Sequence, residues 1–421
     1  MSGTAPVWMS HGRRHVWRPY CQMKTASDPL PVARTQGCRI ILEDGRTLVD
    51  GIASWWTACH GYNHPHIRQA IEGQLATAPH LMLGGLAHAP AYRLAARLAQ
   101  ALPGDLDHVF FAESGSVSVE IAMKMAIQYW INRGVRGRTR FLAFAGGYHG
   151  DTLATMTVCD PEEGMHSLFA GVVPSQHIAA LPTDEASEAA LERLLTEKGH
   201  EIAAILVEPR VQGAGGMLFH DDAVLRRLRK LADTHGTLLI FDEIFVGFGR
   251  TGELFACAGA GVTPDIVTLS KALTGGSLPL SAAIGNRRVF DAFWSDDPGA
   301  ALMHGPTYMG NPLACAAANA SLDLFEMGAW RGDVARIAQG LAEGLAPCRG
   351  AAGVVDVRVR GAIGVVEFVR PVDVAGLCRR FAEAGAWIRP MGKVVYLTPA
   401  FVASDAEIAL LTRAVRSVVC G

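Results

Sequence analysis

Residues 237–243 read TLLIFDE and residues 265–271 read DIVTLSK, so two short apolar runs each end in charged side chains. Continuous apolar runs of this length are typical of strands that are covered on both faces, as in a parallel sheet. The same character is found in HVFFA (His108–Ala112), RFLAFAG (Arg140–Gly146), IAAILVEP (Ile202–Pro209) and LSAAIG (Leu280–Gly285). We therefore expect these runs to be strands of one sheet.

Helical patterns alternate with these strands. Two examples are SVSVEIAMKMAIQYWINRG (Ser116–Gly134) and DDAVLRRLRKLADTHG (Asp221–Gly236), the second of which begins with acidic residues and ends at glycine. Alternating strands and helices indicate an α/β domain with a mainly parallel sheet, which we expect over residues 51–320.

The two ends of the chain have a different pattern. Residues 353–369 (GVVDVRVRGAIGVVEFV) suggest a strand meander, followed by a helix, two more strands and a closing helix from Ser404. Residues 37–51 (GCRIILEDGRTLVDG) predict a hairpin with an Asp-Gly turn. We expect a small α+β lobe built from both ends, residues 1–50 and 321–421.

Composition limits the function. The 421 residues include 38 basic and 40 acidic side chains, a formal net charge of -2, which argues against a nucleic-acid partner. The nine cysteines are scattered without CxxC spacing, which argues against a disulfide framework or a zinc site and favours a cytoplasmic location. The start, MSGTAPVWMSHGRRHVW, lacks a signal-peptide core, and no run is long enough to predict a membrane span.

Lys271 is the first candidate for chemistry. Burial lowers the pKa of a lysine and makes its neutral amine a nucleophile toward carbonyl groups, so Lys271 could form a Schiff base. The alternative is a lysine that reaches water or pairs with an acid.

Three further motifs carry polar groups at strand ends. Asp242 follows a strand on the side where open α/β sheets bind ligands, or else it caps the next turn. In ESGSVSVE (Glu113–Glu120), Gly115 and Ser116 could offer N–H groups to a phosphate, or a serine could simply cap the helix. In GGYHGDT (Gly146–Thr152), Tyr148 could lie against a ring, or belong to a solvated turn. An amine, a carboxylate, a phosphate site and an aromatic ring together fit pyridoxal 5'-phosphate.

At these residues the chain resembles the class III (subgroup II) aminotransferases, which are fold type I pyridoxal-phosphate enzymes. The resemblance is carried by DEIFVGFGRTG, PDIVTLSKALTGG, DGIASWWTACHGYNHP, EPRVQGAGGM and HGPTYMGNPLACAAANASL, and it covers nearly the whole chain. It implies a large domain with a mainly parallel seven-stranded sheet, a small lobe from both chain ends, and a homodimer with shared active sites.

The resemblance also implies a role for each matching residue. Lys271 would carry the cofactor, Asp242 would face its ring nitrogen, and Tyr148 would lie against its ring. The remaining cofactor contacts would be Gly115 and Ser116 to the phosphate, Gln212 to the phenolic oxygen, and Pro306 and Thr307 to the phosphate of the neighbouring subunit.

The implied reaction is amination of the ketone 8-amino-7-oxononanoate to 7,8-diaminononanoate in biotin biosynthesis, with S-adenosyl-L-methionine as donor. Arg389 would bind the carboxylate of the ketone, since a planar guanidinium suits that group. Trp55 and Tyr20 would line the substrate pocket with Gly305 nearby, whereas Trp56 is expected in the core. Alternatives are a class III transaminase that uses lysine or an ω-amino acid as donor, and a non-catalytic cofactor-binding protein.

Two further expectations concern histidines and departures from the family pattern. We expect no metal at the histidines of HGYNHPH (His60–His66). Arg210, Phe241, Phe245 and Cys21 depart from the commonest residues of the family and bear on pocket shape.

Overall fold

The computed structural model describes residues 6–161, 167–169 and 171–420. The strands in chain order are β1 (Val32–Gln36), β2 (Arg39–Leu42), β3 (Thr47–Asp50), β4 (Leu106–Ala112), β5 (Arg140–Phe144), β6 (His177–Ala179), β7 (Ile202–Val207), β8 (Val211–Gln212), β9 (Leu218–Phe219), β10 (Leu238–Asp242), β11 (Ile266–Leu269), β12 (Ser281–Asn286), β13 (Val354–Arg360), β14 (Ile363–Phe368), β15 (Ala386–Trp387) and β16 (Val394–Leu397).

The α-helices in chain order are α1 (Val7–Gly12), α2 (Ala53–Trp56), α3 (Pro65–Thr77), α4 (Ala89–Ala101), α5 (Gly115–Asn132), α6 (Leu153–Met156), α7 (Glu185–Lys198), α8 (Asp222–Thr234), α9 (Ala256–Ala260), α10 (Arg287–Asp291), α11 (Pro312–Glu326), α12 (Trp330–Leu345), α13 (Val374–Glu383) and α14 (Asp405–Val419). Short 3-10 helices span Ser167–Phe169, Lys271–Thr274, Pro298–Ala300 and Ala346–Cys348.

The chain divides into two compact units, one of residues up to His64 and from Gly332 onward, and one of Pro65–Arg331. The second unit contains a seven-stranded sheet in the order β4-β12-β11-β10-β7-β5-β6. Neighbouring strands are parallel from β11 through to β6, and β12 is antiparallel to both of its neighbours. The predicted α/β fold with a mainly parallel sheet is confirmed.

Burial on both faces explains why the central strands of this sheet are mostly apolar. Every residue of β7, β10, β11 and β12 is buried. On one side, Val119, Ile121 and Met123 of α5 pack in the same cluster as Leu206 and Ile240. The short edge strand β6 was not predicted, because its three residues are only half-buried and carry no apolar run.

The other unit joins the two chain ends through backbone pairing. One sheet has the order β1-β2-β3-β15, in which Ala386 and Trp387 pair in parallel with Val49 and Asp50. A second sheet has the order β13-β14-β16. The predicted hairpin forms between β2 and β3, and Gly45 in its turn has a φ of 85°, which favours glycine. The α+β lobe from both ends is therefore present.

The unit boundaries lie further along the chain than predicted at residues 50 and 320. Residues 51–64 stay with the terminal unit, since Tyr62 forms a bridge with Gly37 and the Phe401 N–H donates to the Cys59 carbonyl. At the other boundary, α11 continues past residue 320, and the Trp330 indole N–H donates to the Phe325 carbonyl. Residues 1–5 and 421, which the predicted lobe includes, lie outside the described residues.

Among the residues that the structure describes, no helix combines the length and apolar character needed to cross a membrane.

Candidate active site

Lys271 and Asp242 lie at the same edge of the large sheet. Strands β10 and β11 are adjacent and parallel, and Asp242, the last residue of β10, pairs with Thr268. Lys271 follows two residues after the end of β11 and starts a 3-10 turn. Because parallel strands present their carboxyl ends on one side, the amine and the carboxylate lie at one sheet edge as a result of this register.

The surroundings of Lys271 favour a neutral amine. Burial lowers the pKa of Lys271 to about 8, and the nearby carboxylates of Asp242, Glu208 and Asp151 oppose this by favouring the charged form. The backbone of Lys271 has a φ of 48°, in the left-handed region that residues other than glycine rarely adopt. Strain of this kind is concentrated at functional sites. The lysine is therefore partly buried and surrounded by acids, rather than extended into solvent.

Asp242 is buried and held by three donors. Its Oδ2 lies 2.8 Å from His149 Nδ1, and its Oδ1 accepts from the Ile244 N–H at 3.1 Å and the Thr268 hydroxyl at 3.2 Å. The hydrogen bond from the Ile244 N–H shows that Asp242 caps the next turn, which was the alternative role that the sequence left open. The contact with His149 goes beyond capping, because it fixes the orientation of the carboxylate at the sheet edge.

Sequence reasoning missed Glu208 and His149. Glu208 follows β7 at the same sheet edge, and its buried carboxylate accepts from the N–H groups of Tyr148 at 3.0 Å and Gly213 at 2.9 Å. Burial raises the pKa of Glu208 to about 7, His149 opposes this, and Asp242 adds to it. The sequence did contain a signal for Glu208, because this charged residue directly follows an apolar strand.

Glu243, next to Asp242, has a structural role instead. Its two carboxylate oxygens accept from the N–H groups of Ala256 and Cys257, each at 2.7 Å, at the start of α9. Burial raises its pKa, and these hydrogen bonds oppose that effect. The two adjacent acids are therefore used differently.

The N-terminus of α5 has the geometry of an anion site. Ser114 is the N-cap, with its hydroxyl 3.4 Å from the Val117 N–H, so one predicted alternative is present. The next two residues, Gly115 and Ser116, start the helix, where main-chain N–H groups have no partner within the helix and can bind a phosphate.

A neighbouring loop approaches this helix end closely. The Ser116 hydroxyl lies 2.9 Å from the Thr152 hydroxyl and 3.0 Å from the Thr155 hydroxyl. A Cβ at Gly150 would lie only 2.2 Å from the Ser116 hydroxyl oxygen, and Gly150 has a φ of 128°. The close approach thus requires glycine, and the predicted phosphate contacts of Gly115 and Ser116 remain predictions.

Tyr148 and Gln212 lie in loops at the same sheet edge. Tyr148 is partly buried, and its hydroxyl donates to Asp151 at 2.8 Å, which differs from a freely solvated turn residue. Gln212 is buried, and its side-chain amide donates to the Ala145 carbonyl at 2.8 Å. Their predicted cofactor contacts remain predictions.

Gly305, Pro306 and Thr307 lie in the loop that precedes α11. Gly305 and Thr307 are exposed and Pro306 is partly buried. Pro306 and Thr307 were predicted to contact the phosphate across a subunit interface, and Gly305 was predicted to lie near the substrate. All three roles remain predictions.

In the terminal unit, the three predicted substrate residues lie together. The rings of Trp55 and Tyr20 are in edge-to-face contact with centroids 6.0 Å apart. The Arg389 guanidinium carbon lies 5.6 Å from the centre of the Trp55 ring. Trp55 is 38% exposed, whereas Trp56 is buried against Tyr396, as expected. The group combines a cation with aromatic surface.

The histidines of HGYNHPH have no metal-binding arrangement. His60 and His64 are in edge-to-face contact with centroids 6.2 Å apart. No group of histidines, cysteines or acids within the described part of the chain could hold a metal ion.

The departures from the family pattern have structural explanations in part. Arg210 binds Asp222 through two hydrogen bonds, of 2.7 and 2.9 Å, and so ties the loop after Glu208 to α8. The ring of Phe245 packs against Gly213, and a Cβ at Gly213 would lie only 2.6 Å from that ring. Both residues shape the loop that carries Glu208 and Gln212.

Comparison with known proteins gives a consistent result. The family model described as aminotransferase class-III matches residues 21–419. The adenosylmethionine-8-amino-7-oxononanoate aminotransferase of Mycobacterium leprae is 46% identical over 95% of this chain and 94% of its own. The solved structure of the enzyme with that name from Methanocaldococcus jannaschii has a TM-score of 0.93 at 30% identity and covers 98% of both chains. An amine transaminase from an uncultivated Pseudomonas species, solved in its PLP-bound form, has a TM-score of 0.88 at 33% identity, over 96% of this chain and 99% of that one.

Proposed function

The chain belongs to the aminotransferase class-III family, and on that premise we propose that it aminates 8-amino-7-oxononanoate to 7,8-diaminononanoate, with S-adenosyl-L-methionine as donor and pyridoxal 5'-phosphate as cofactor. The observation that carries the proposal is the amine of Lys271 beside Asp242 at one sheet edge, in a chain that matches a relative of this name over almost its full length.

The residues present suit this cofactor. When bound, pyridoxal 5'-phosphate supplies an aldehyde that condenses with amines and a ring that accepts electrons. The helix end at Gly115 and Ser116 would hold its phosphate, Asp242 would face its ring nitrogen, and Tyr148 would lie against its ring. His149 supports this role, because its contact with Asp242 keeps the carboxylate in one orientation.

Lys271 is the proposed acid and base of the reaction. With a pKa of about 8, its amine is partly neutral near pH 7 and can accept a proton from the amine-bearing carbon of the substrate. The charged form would deliver that proton to the aldehyde carbon of the cofactor. A side chain that exchanges protons in both directions needs a pKa near the working pH, and burial provides it here.

Three of the proposed substrate residues belong to the terminal unit. We propose that the Arg389 guanidinium binds the distant carboxylate of the ketone, and that Trp55 and Tyr20 contact its aliphatic chain. The contact between Arg389 and the Trp55 ring supports this, since it combines a fixed cation with apolar surface.

We further propose a homodimer. The Pro65–Arg331 unit has exposed large apolar side chains before and within α4 and in the loop before α11: Met82, Leu86, Tyr92, Met303 and Tyr308. Exposed apolar side chains in such number favour a protein interface. A second copy at this surface would bring Pro306 and Thr307 to the phosphate site of its neighbour. The predicted cytoplasmic location remains part of the proposal.

A single-turnover absorbance experiment tests the function. The cofactor-loaded protein is mixed with S-adenosylmethionine, lysine or an ω-amino acid, and the loss of the absorbance of the lysine-bound cofactor is followed. We expect S-adenosylmethionine to react, and the product then to aminate 8-amino-7-oxononanoate. Reaction with lysine alone would show a different donor.

A variant separates catalysis from cofactor binding alone. Lys271→Ala should abolish turnover and also prevent borohydride trapping of the cofactor on the chain. Turnover retained in this variant would refute the role of Lys271, and trapping without any transamination in the wild type would favour a non-catalytic protein.

A further inference from the structure

The segment that carries Trp55 has an unusual backbone. Ala53, Ser54, Trp55 and Trp56 have φ angles of 45°, 50°, 54° and 70°. The short element α2 is therefore one left-handed helical turn and not a right-handed α-helix, and in it the Trp56 N–H donates to the Ile52 carbonyl at 2.8 Å. Left-handed helical turns of residues other than glycine are disfavoured, because each Cβ crowds the following carbonyl oxygen. Surrounding contacts must therefore hold this turn in place.

Asp50 and Tyr62 provide those contacts. Asp50, the last residue of β3, is buried, and its Oδ1 accepts from the Ile52 N–H at 2.9 Å. Its Oδ2 accepts from the Ser54 N–H at 2.8 Å and from the Tyr62 hydroxyl at 2.6 Å. One carboxylate thus binds the entry and the interior of the turn, and Tyr62 fixes that carboxylate from the other side.

The turn determines where two adjacent tryptophans point. Trp56 is buried against Tyr396, whereas Trp55 is partly exposed and contacts both Tyr20 and Arg389. A right-handed or extended backbone at these positions would change the direction of the Trp55 side chain. The contact between Trp55 and Arg389 therefore depends on the left-handed turn.

We propose that Asp50 and Tyr62 are positioning residues for the ketone substrate, because they hold the left-handed turn that presents Trp55 against Arg389. The aliphatic chain of the substrate then meets the indole ring while its carboxylate meets the guanidinium. This inference rests on the proposed function, and it adds residues that do not themselves touch the substrate.

Tyr62→Phe tests the proposal with a small change. It keeps the ring and removes only the hydroxyl that donates to Asp50. The probe is nonanoate, which has a carboxylate and an aliphatic chain but no reacting centre, titrated into the cofactor-loaded protein by calorimetry. We expect roughly tenfold weaker binding, equivalent to one lost hydrogen bond to a charged group, and a similar rise in KM for the ketone with little change in kcat.

A double-mutant cycle separates positioning from general stability. If Tyr62 acts through Trp55, the change Tyr62→Phe should have less than about twofold effect on binding once Trp55→Ala is present. The matched control is Tyr129→Phe in the other unit, which also removes a tyrosine hydroxyl, one that accepts a hydrogen bond from Arg288 Nε at 3.1 Å. This control should leave nonanoate binding unchanged.

A rescue variant keeps the test informative if Tyr62→Phe is poorly folded. Ser54→Asn introduces a residue that tolerates the left-handed region better, so it should restore folding and most of the affinity in the Tyr62→Phe background. Wild-type binding by Tyr62→Phe, an equal loss with and without Trp55, or no rescue would each overturn the proposal. A wild-type protein that fails to aminate the ketone would instead overturn the proposed function.

Discussion

The lowered pKa of Lys271 predicts that the cofactor-free protein becomes more stable when this amine is removed. The perturbation is Lys271→Met, which keeps an unbranched side chain and removes the titrating group. The pKa of this lysine is about 8 in the folded protein, against 10.5 for an ordinary lysine. Between these pH values the unfolded chain binds more protons than the folded one, so the free energy of unfolding of the wild type rises with pH.

The magnitude follows from this difference in pKa. At about 1.4 kcal/mol per pKa unit the upper limit is about 3 kcal/mol, and partial exposure of the side chain reduces it to about 2 kcal/mol. Below pH 8 the buried amine of the folded wild type is charged, so the full free-energy cost of burying that charge lowers its stability. We therefore expect Lys271→Met to be more stable by about 2 kcal/mol at pH 7, with the difference shrinking as the pH rises toward 10.5.

The assay is urea unfolding of both cofactor-free proteins at several pH values from 7 to 10, followed by circular dichroism. Lys271→Arg is the matched control, because an arginine stays charged over this range and should give no stabilisation. A Lys271→Met variant that is less stable than the wild type at pH 7, or a difference that does not change with pH, would refute the reasoning.

Three further variants test other parts of the site. Arg389→Ala should raise KM for the ketone by roughly tenfold or more, while the half-reaction with S-adenosylmethionine changes less; unchanged ketone kinetics would contradict its role. His149→Phe removes a partner of Asp242 and should lower kcat in steady-state assays, and a wild-type kcat would show that this contact is dispensable. Gly150→Ala places a Cβ 2.2 Å from a hydroxyl oxygen in the first turn of α5, so cofactor affinity measured by fluorescence titration should fall. Gly137→Ala, also at positive φ but facing open space, is its control and should bind the cofactor normally.

The sequence predicted the parts of the fold that depend on local pattern. Apolar runs bounded by charged residues identified the central strands, and the position of Asp242 after one of them placed it on the side of the sheet where ligands bind. The network of Glu208 and His149 was missed, because it depends on which strand ends become neighbours. The left-handed turn at Trp55 was missed too, since Ala, Ser and Trp carry no local signal for positive φ.

The parallel pairing of β15 with β3 has a consequence for synthesis on the ribosome. Residues 65–331 are contiguous and can complete their sheet while the last segment is still being made. The unit built from both ends must wait until residues 386 and 387 have left the exit tunnel, so β3 keeps an open edge for most of translation. Truncation before residue 386 removes the partner strand, so it would leave that edge exposed and favour association of nascent chains.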